Sequence, residues 1–413
     1  MKKNIFKNIV SLYGFTIAKM VFPLVTLPYL TRVLSVDTYG VVSYVKSIMA
    51  YFQILIDFGF LLSGTKDIVL VKSDKKKISE VSSQIFFARV LVAAGALVFL
   101  IPMTYLMPLL RVNPLFVFLS FVPTFLTAFL FDYIFRGLEK MNVITLRFVL
   151  MKTISTVLTF VFVHKDADIV WIPILDILGS LIAIVWILAE MKKMDIHIVR
   201  SPIKAILKKL SESAIYFASD IATTAFGVLL TVFIGAFCTA ADVAYWSLCC
   251  TLVSAVQSMY APILNGIYPE MVATKNTKII KKTIAIFMPI VILGCIFTFV
   301  VSDYVVIIVG GADYLPASGL LRAFIPVLGL SFPAMLFGWP TLGAIGKASE
   351  VTATTIVAAV VQVLGLLVLL AIGRFEIIAV ALLRGLSELF LLVGRLVLTV
   401  KNLHKNKDEL QKV

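Results

Sequence analysis

An almost wholly apolar stretch, YVKSIMAYFQILIDFG at residues 44–59, carries three side chains that could bind ions or polar ligands: Lys46, Gln53 and Asp57. An ionised side chain near the centre of a membrane-spanning helix costs about 2.5–3.5 kcal/mol by insertion scales. The spacings of 7 and 11 residues return to nearly the same face of an α-helix. The sequence therefore predicts that one polar face of this helix turns inward, away from lipid.

Other charged side chains also lie deep in apolar runs, and the bases outnumber the acids. The further bases are Lys19, Arg89, Lys152, Arg322, Arg384 and Arg395, and the acids are Asp57, Asp176, Asp220 and Glu388. Lysine binds phosphate as a point charge, whereas arginine binds it through a planar fork of donors. The excess of bases predicts a shared, hydrated cavity for an anionic ligand.

Each of these charges also has a structural interpretation. Arg322 and Arg395 lie near predicted helix ends, where a long side chain can reach the membrane interface. Arg384 and Glu388 are four residues apart and could pair on one helix. For a single residue, such pairing explains the charge at least as well as contact with a substrate does.

Three lysines are harder to explain by the reach of the side chain alone. Lys19, Lys46 and Lys152 each lie roughly 10–15 Å from the nearer membrane face, at about 1.5 Å of rise per residue. Asp57 could still neutralise Lys46 or Arg89 in a purely structural pair. The sequence leaves both interpretations of Lys46 open.

The composition shows what kind of elements must position these side chains. Of the 413 residues 61% are hydrophobic, and the mean hydropathy is +1.04. A soluble domain is about 45–50% apolar, so this excess predicts an integral membrane protein with several spans. The four cysteines have neither zinc-ligand nor CxxC spacing, and they are Cys238, Cys249, Cys250 and Cys295.

A membrane-spanning helix needs about 20 mostly apolar residues. Twelve segments meet that requirement, and they are residues 9–34, 38–65, 81–107, 114–136, 143–163, 169–190, 211–238, 242–271, 284–302, 316–343, 350–372 and 376–400. One further apolar stretch, YVVIIVGGADY at 304–314, is too short to span. It could be a cap, a re-entrant piece or an extension of the ninth helix.

The net charge of +14 is distributed unevenly among the connections. One side of the predicted membrane holds bases in the N-terminal residues 2–7 and in 66–77, 136–147, 192–209, 275–282, 347 and 401–412. The opposite side holds only Arg32, Arg111, Lys165 and Arg374. Because basic loops stay in the cytoplasm, both termini are predicted to be cytoplasmic, and the charge needs no nucleic-acid partner.

The connections leave no room for a soluble catalytic domain, and the sequence contains no GxGxxG, P-loop, GxSxG or HExxH motif. The sequence therefore predicts a protein that is not an enzyme and that carries no cofactor. The long connection at 191–210 divides the chain into an N-terminal six-helix bundle (1–190) and a C-terminal six-helix bundle with a short cytoplasmic tail (211–413). Two such parallel halves are typical of transporters with a site between them near the midplane.

Three stretches resemble the bacterial Wzx flippases of the multidrug/oligosaccharidyl-lipid/polysaccharide (MOP) exporter superfamily. Residues 27–68 are similar to the first two helices of that family, and GGADYLPASGLLRAFIP at 310–326 is similar to the entry to its tenth helix. FDYIFRGLEKMNVIT at 131–145 resembles its D-aromatic-x-F-Q-G-x-E-K pattern, with Arg136 in place of the glutamine. The resemblance implies an all-α MOP fold and the transfer of undecaprenyl-diphosphate-linked oligosaccharide across the bacterial cytoplasmic membrane for capsule, O-antigen or related glycan.

The resulting hypothesis is an alternating-access flippase for lipid-linked oligosaccharide. Its predicted substrate-binding residues are Lys19, Arg32, Lys46, Gln53, Arg89, Lys152, Arg322 and Arg384, and its predicted coupling residues, for H⁺ or Na⁺, are Asp57, Asp220 and Glu388. Expected partners are the lipid-linked oligosaccharide, membrane lipids, and a polymerase and glycosyltransferases of the same pathway. The alternative is a multidrug cation antiporter of the same fold, which would need an acidic cavity.

Overall fold

The structure is a computed structural model that describes residues 2–221, 226–275 and 277–410. These residues form α-helices, short 3₁₀ turns and one π-helical segment, and no β-strand occurs among them. The predicted all-α fold class is therefore confirmed.

The described chain contains seventeen α-helices. They are α1 (Lys2–Val33), α2 (Val36–Asp57), α3 (Phe60–Leu70), α4 (Lys75–Leu106), α5 (Pro108–Arg111), α6 (Pro114–Leu126), α7 (Asp132–Gly137), α8 (Met141–Phe162), α9 (Trp171–Lys193), α10 (Ile203–Asp220), α11 (Phe226–Phe237), α12 (Ala240–Thr274), α13 (Thr277–Gly310), α14 (Ala317–Ala323), α15 (Ile325–Leu336), α16 (Ala348–Ala371) and α17 (Ile377–Leu410). The π-helical segment, Phe337–Gly343, follows α15 directly.

Within the described residues, eleven helical stretches are long and apolar enough to cross a membrane. They correspond to eleven of the twelve predicted spans, so the protein is a multi-pass membrane protein. The remaining prediction, 211–238, includes residues 222–225, which lie outside the described residues. Most of the stretch 304–314 extends the ninth predicted span, because α13 runs on to Gly310.

The described chain forms two compact units, Met1–Val243 and Ala244–Val413. In the N-terminal unit α8 packs against α1 and α9, α2 packs against α4 and α6, and α10 and α11 pack against the α2–α4 region. In the C-terminal unit α17 packs against α15, α16 and the π-helical segment, and α13 packs against α14 and α15. The division into 1–190 and 211–413 stays a prediction.

A break after α2 corrects the predicted continuous helix over 38–65. The helix ends at Asp57 because Phe58 (φ 43°) and Gly59 (φ 70°) both adopt left-handed backbone angles. A side chain at Gly59 would lie within 2.6 Å of the Phe217 backbone nitrogen, so glycine suits both the angle and the space. The ring of Phe58 stacks on that of Phe217 at 4.4 Å between centroids. The break leaves Asp57 at a helix end, where its carboxylate projects into a cavity.

The segment between α9 and α10 is attached to α4 by two serine hydroxyls. The backbone nitrogen of His197 donates to Ser79 Oγ at 3.1 Å, and that of Val199 donates to Ser83 Oγ at 2.8 Å. Both serine side chains are buried. The segment 194–202 is thus held against the N-terminal unit although it forms no regular helix.

Candidate functional site

A cavity of about 480 Å³ lies within the N-terminal unit, among α1, α2, α3, α4, α7 and α8. Six charged side chains line it: the bases Lys19, Arg89, Arg136 and Arg147, and the acids Asp57 and Asp132. The ionised side chains therefore leave two positive charges uncompensated. Such an excess in a partly enclosed space favours an anionic ligand.

One side of the cavity holds the ion pair between α4 and α2. Arg89 Nη2 lies 2.5 Å from Asp57 Oδ1, and the guanidinium is nearly fully buried. Gln53 Nε2 donates to Asp57 Oδ2 at 2.9 Å and to Thr127 Oγ1 at 3.0 Å. The Nε of Arg89 is buried and has no hydrogen-bond acceptor among the described residues. Asp57 thus neutralises Arg89, which corrects the alternative pairing with Lys46.

The other ion pair joins α8 to α7. Arg147 Nη2 donates to Asp132 Oδ2 at 2.7 Å, and Arg147 is only 3% exposed. Three buried atoms of this pair have no partner in the described part of the chain: Arg147 Nε, Arg147 Nη1 and Asp132 Oδ1. A buried polar atom without a partner costs about 1–3 kcal/mol, and more when it is charged. The pair is therefore ready to bind water or a ligand with oxygen atoms.

The motif at 131–145 builds this side of the cavity. Phe131 adopts a left-handed angle (φ 49°), and α7 then begins at Asp132. Asp132 and Arg136 are four residues apart on α7, so both reach the same cavity. Glycine at 137 is required by a close approach, because a Cβ there would lie 2.7 Å from Ile68 Cγ2.

Three of these cavity residues were missed by the sequence analysis as site residues. Arg136 and Arg147 were counted among the basic connections that set orientation, and Asp132 was not singled out. The structure corrects this for Arg147, which lies inside α8 and is buried. The signal that could have found them is the motif itself, since FDYIFRGLEK contains both Asp132 and Arg136.

Lys19 extends the positive charge of the cavity from α1. Its Nζ lies 4.7 Å from the ring centroid of Phe15, close enough for a cation–π interaction. It also interacts electrostatically with Asp132 and Asp57 across the cavity. Of the predicted substrate-binding residues, the structure therefore brings Lys19, Gln53 and Arg89 together here.

Two further predicted residues form a separate group, which we call the lysine cluster: Lys46, Lys152, Ser155 and Asp176. Asp176 Oδ1 accepts a hydrogen bond from Lys152 Nζ at 3.1 Å and one from Ser155 Oγ at 2.7 Å. Lys46 is exposed and interacts electrostatically with both Asp176 and Lys152. Lys46 does not line the cavity. The polar face of α2 therefore contributes Gln53 and Asp57 to the cavity and Lys46 to the lysine cluster.

The remaining predicted residues of the N-terminal unit lie elsewhere. Arg32 is exposed in the last turn of α1, where its Nη1 donates to the Pro28 carbonyl at 3.3 Å. Asp220 ends α10, is half-buried, and interacts electrostatically with Asp57. Arg32 is thus apart from the cavity, whereas Asp220 approaches it through Asp57.

In the C-terminal unit the predicted residues are dispersed. Arg322 Nη2 pairs with Asp303 Oδ2 at 2.8 Å. Arg384 and Glu388 are half-buried on α17, and among the described residues they form no salt bridge with each other. Their proposed pairing is therefore corrected to a longer-range electrostatic interaction.

Arg395 is only 7% exposed, so its guanidinium lies among the helices of the C-terminal unit instead of extending outward. Its Nη1 donates to the Ala334 carbonyl at 2.6 Å, its Nη2 to Thr355 Oγ1 at 3.1 Å and its Nε to Thr354 Oγ1 at 3.4 Å. These acceptors are neutral, and they join α17 to α15 and α16. Arg395 is therefore a structural residue of the C-terminal unit.

Comparison with known proteins bears on what these groups do. A sequence model of the family described as "Polysaccharide biosynthesis protein" matches residues 5–275, which is more than half of the chain. The chain belongs to this polysaccharide biosynthesis protein family. The matched residues include the whole cavity and the lysine cluster. The resemblance to Wzx-type flippases is confirmed.

Two curated relatives of this polysaccharide biosynthesis protein carry the name "Putative O-antigen transporter". The protein from Escherichia coli (strain K12) is 25% identical over 291 residues, which cover 68% of this chain and 70% of the relative. The protein from Shigella dysenteriae is 25% identical over 267 residues, which cover 64% and 67% of the two chains. Both names describe transporters, in agreement with the prediction that the chain is not an enzyme.

Solved structures share the fold of this polysaccharide biosynthesis protein. An inward-facing multidrug resistance MATE family transporter of the MOP superfamily superposes with a TM-score of 0.71 at 15% identity, covering 98% of this chain and 99% of the other. The lipid II flippase MurJ, in an inward closed conformation, gives a TM-score of 0.74 at 13% identity, covering 95% and 87%. The predicted MOP exporter fold is confirmed.

Proposed function

We propose that this protein is a flippase that moves undecaprenyl-diphosphate-linked oligosaccharide from the inner to the outer leaflet of the bacterial cytoplasmic membrane by alternating access. The observation that carries the proposal is the cavity in the N-terminal unit, whose four bases and two acids include buried guanidinium donors without acceptors. The names of its relatives, which describe O-antigen transporters, support a saccharide cargo of this class.

The cavity supplies what a diphosphate loses when it leaves water. A polar group without a partner costs several kcal/mol in the hydrocarbon region, so a bare headgroup does not cross. Arg147 Nε and Nη1 and Arg89 Nε offer buried N–H donors, and Lys19 and Arg136 add two further positive charges to the lining. Phosphate oxygens accept such charge-assisted hydrogen bonds. The sugar hydroxyls remain hydrated in the cavity while the polyprenyl tail stays in the bilayer.

The test is a transfer assay with purified protein in liposomes. A fluorescent oligosaccharide linked to polyprenyl diphosphate is placed in both leaflets, and a membrane-impermeant quencher reports how much reaches the outer leaflet. We expect transfer with the wild type and none with Arg147→Ala/Asp132→Ala, in which both members of one cavity ion pair are removed together. Equal transfer by the two proteins would contradict the proposal.

A multidrug cation antiporter of the same fold is the rival function. Such a protein needs an acidic cavity, whereas this cavity has an excess of bases. We therefore expect no efflux of ethidium from cells that express the protein, measured beside cells that express a MATE transporter. Ethidium efflux that is abolished by Asp57→Asn would favour the rival.

Transport against a gradient requires a coupling ion, and we propose H⁺ or Na⁺ acting at Asp57 and Asp220. These carboxylates interact with each other, and Asp57 already binds the Arg89 guanidinium. Glu388, the third candidate, lies in the C-terminal unit. Liposome transfer under an imposed Na⁺ or H⁺ gradient tests this, with Asp57→Asn and Asp220→Asn. Unchanged ion dependence in both variants would remove these residues from the coupling step.

We further propose that both termini are cytoplasmic, because the basic residues cluster in the connections of one side. Lys76→Cys lies in the first turn of α4, and Asp166→Cys lies between α8 and α9. In intact cells a membrane-impermeant maleimide should label Asp166→Cys and leave Lys76→Cys unlabelled. The reverse pattern would invert the orientation. A polymerase and glycosyltransferases of the same pathway are the expected partners.

A further inference from the structure

The lysine cluster shares two helices, α2 and α8, with the cavity. On α2, Lys46 precedes Gln53 and Asp57 by 7 and 11 residues, which is about 10 and 16 Å along the helix axis. On α8, Lys152 follows Arg147 by five residues, or about 7.5 Å. Met151, next to Lys152, still lines the cavity. An anion held by Arg147 therefore has a second positive centre roughly 7.5 Å further along α8.

The lysine cluster has more positive than negative charge. Two ammonium groups, those of Lys46 and Lys152, share the single carboxylate of Asp176. Lys152 reaches that carboxylate at 3.1 Å, whereas Lys46 makes no hydrogen bond or salt bridge with any described residue. The Lys152 and Asp176 side chains are 35% and 24% exposed, so water and ligand can enter. One ammonium is thus left without an oxygen ligand in the middle of a membrane-spanning helix.

We propose that the lysine cluster is a second anion station for the cargo, in which the Asp176 carboxylate holds the place of a phosphate when no cargo is present. This inference rests on the proposed function and adds an internal competitor to it. Phosphate oxygens bind Lys46 and Lys152 together, and the Asp176 carboxylate turns away while it keeps its hydrogen bond to Ser155. When the cargo leaves, Asp176 neutralises Lys152 again.

The competitor has a physical purpose. Two uncompensated ammonium groups in a membrane are costly, and they would also hold a diphosphate too tightly to release it. A tethered carboxylate lowers both costs, because it stabilises the empty state and speeds exchange of the cargo. Ser155 Oγ, at 2.7 Å, positions the carboxylate beside Lys152 without adding charge.

The test uses the full-length protein in nanodiscs with farnesyl diphosphate as the probe and uncharged farnesol as the comparison ligand. Asp176→Asn removes the competitor, so it should bind farnesyl diphosphate about tenfold more tightly, the equivalent of one charge-assisted hydrogen bond. The same variant should transfer the lipid-linked oligosaccharide more slowly than the wild type, because release is delayed. Farnesol binding should not change. Weaker or unchanged binding of farnesyl diphosphate by Asp176→Asn would overturn the proposal.

A purely structural ion pair makes different predictions for a second variant. Lys152→Met/Asp176→Asn removes both charges and keeps the size of the side chains, so it should fold normally. If the pair is only structural, this variant binds and transfers like the wild type, and so does Lys46→Gln. Under our proposal Lys46→Gln binds farnesyl diphosphate about tenfold more weakly than the wild type, and Lys152→Met/Asp176→Asn binds it about tenfold more weakly than Asp176→Asn, since each has lost one ammonium contact. Ser155→Ala changes no charge but frees the carboxylate from its tether, so under our proposal its effect on binding should be smaller than that of Asp176→Asn.

Failure of this inference is distinguishable from failure of the proposed function. A wild type that transfers oligosaccharide, with wild-type binding of farnesyl diphosphate by both Asp176→Asn and Lys46→Gln, would overturn the second station and leave the flippase intact. A wild type that neither binds farnesyl diphosphate nor transfers oligosaccharide would overturn both.

Discussion

Arg147 in the N-terminal unit and Arg395 in the C-terminal unit are buried to nearly the same degree, at 3% and 7% exposure. Arg147 pairs with one carboxylate and leaves two nitrogens without acceptors on the wall of a cavity. Arg395 donates from all three of its nitrogens to neutral oxygens of neighbouring helices. Two equally buried arginines can thus have different roles, and burial alone does not identify a binding residue. N–H donors that lack acceptors beside a cavity are the better indicator.

The surroundings of Arg395 explain why it is fully occupied. The backbone at Gly338 is kinked (φ −73°, ψ −117°), at the start of the π-helical segment. A Cβ at this position would lie 2.7 Å from Arg395 Nη1, so the guanidinium occupies the space that a side chain would need. Nη1 donates to the Ala334 carbonyl, four residues before the kink. Arg395 thus ties α17 to the last turns of α15 and to α16 beside this kink.

The largest effect is expected for Arg147→Ala, which leaves the buried Asp132 carboxylate unpaired. Breaking a buried pair costs about 3–5 kcal/mol, so thermal unfolding in detergent should begin at a much lower temperature. Adding Asp132→Ala should restore most of the stability but no oligosaccharide transfer. The control is Arg322→Ala, whose pair with Asp303 is partly exposed, and which should change the stability by less than about 1 kcal/mol. Restored transfer in the double variant would remove Arg147 from the cargo site.

The next effect tests the structural role of Arg395. Arg395→Met fills similar space and leaves the acceptors on Ala334, Thr354 and Thr355 without a donor. A hydrogen bond to a charged group contributes about 1.5–3 kcal/mol. The two bonds at 2.6 and 3.1 Å at the low end of that range, with little from the one at 3.4 Å, give an expected destabilisation of about 3 kcal/mol. Binding of farnesyl diphosphate per folded molecule should equal that of the wild type. A selective loss of binding, without loss of stability, would place Arg395 in the cargo path.

A smaller effect compares two side-chain amides, the half-buried Gln53 and the buried Asn402. Gln53 donates to Asp57 at 2.9 Å in the cavity, and Asn402 donates to Glu350 at 2.7 Å away from it. Gln53→Leu and Asn402→Leu should each cost about 1 kcal/mol of stability. Only Gln53→Leu should also slow oligosaccharide transfer, because Asp57 then loses one of its two partners. Equal transfer rates for both variants would show that Gln53 has no role in the cavity beyond packing.

The smallest effect concerns a cation whose charge is well compensated. Lys209 donates to Asp67 at 2.8 Å and to Glu212 at 2.9 Å. Burial lowers the pKa of Lys209, but these hydrogen bonds outweigh it and the net effect is a raised pKa. Lys209→Met should therefore cost about 1 kcal/mol at pH 9 and below.

The pH dependence gives the sign of this contribution. A raised lysine pKa stabilises the folded state below the unfolded value of about 10.4. That stabilisation is lost as the pH rises through the higher pKa of the folded state. Thermal unfolding of the wild type and of Lys209→Met should thus converge as the pH rises above about 10.5. A constant difference between them across that range would show that Lys209 acts through packing alone.

The spans could be predicted from the sequence because each depends on a local property, a run of apolar residues long enough to cross a bilayer. The break at Phe58–Gly59 could not, since a left-handed phenylalanine is rare and is stabilised here by contact with Phe217, far along the chain. The presence of Gly59 alone was not enough to predict that the helix breaks there.

The candidate site was predictable only in part. Lys19, Gln53 and Arg89 stood out because they interrupt apolar runs, and all three line the cavity. Arg147 did not, because it lies near the end of a span, where bases usually set orientation. Only the short helix α7 brings Asp132 against it. The neighbours of Lys46 were equally hidden, since Asp176 lies 130 residues away in sequence.

The two serine hydroxyls that hold the segment after α9 have a consequence for exchange measurements. An amide in an irregular segment normally exchanges its hydrogen with solvent within seconds, yet those of His197 and Val199 are bonded to buried oxygens of α4. Deuterium uptake at these two positions therefore requires that the segment detach from α4. The rate of deuterium uptake by a single peptide covering 196–200 therefore reports how often this segment detaches. Ser83→Ala, which removes one of the two acceptors, should make that uptake faster.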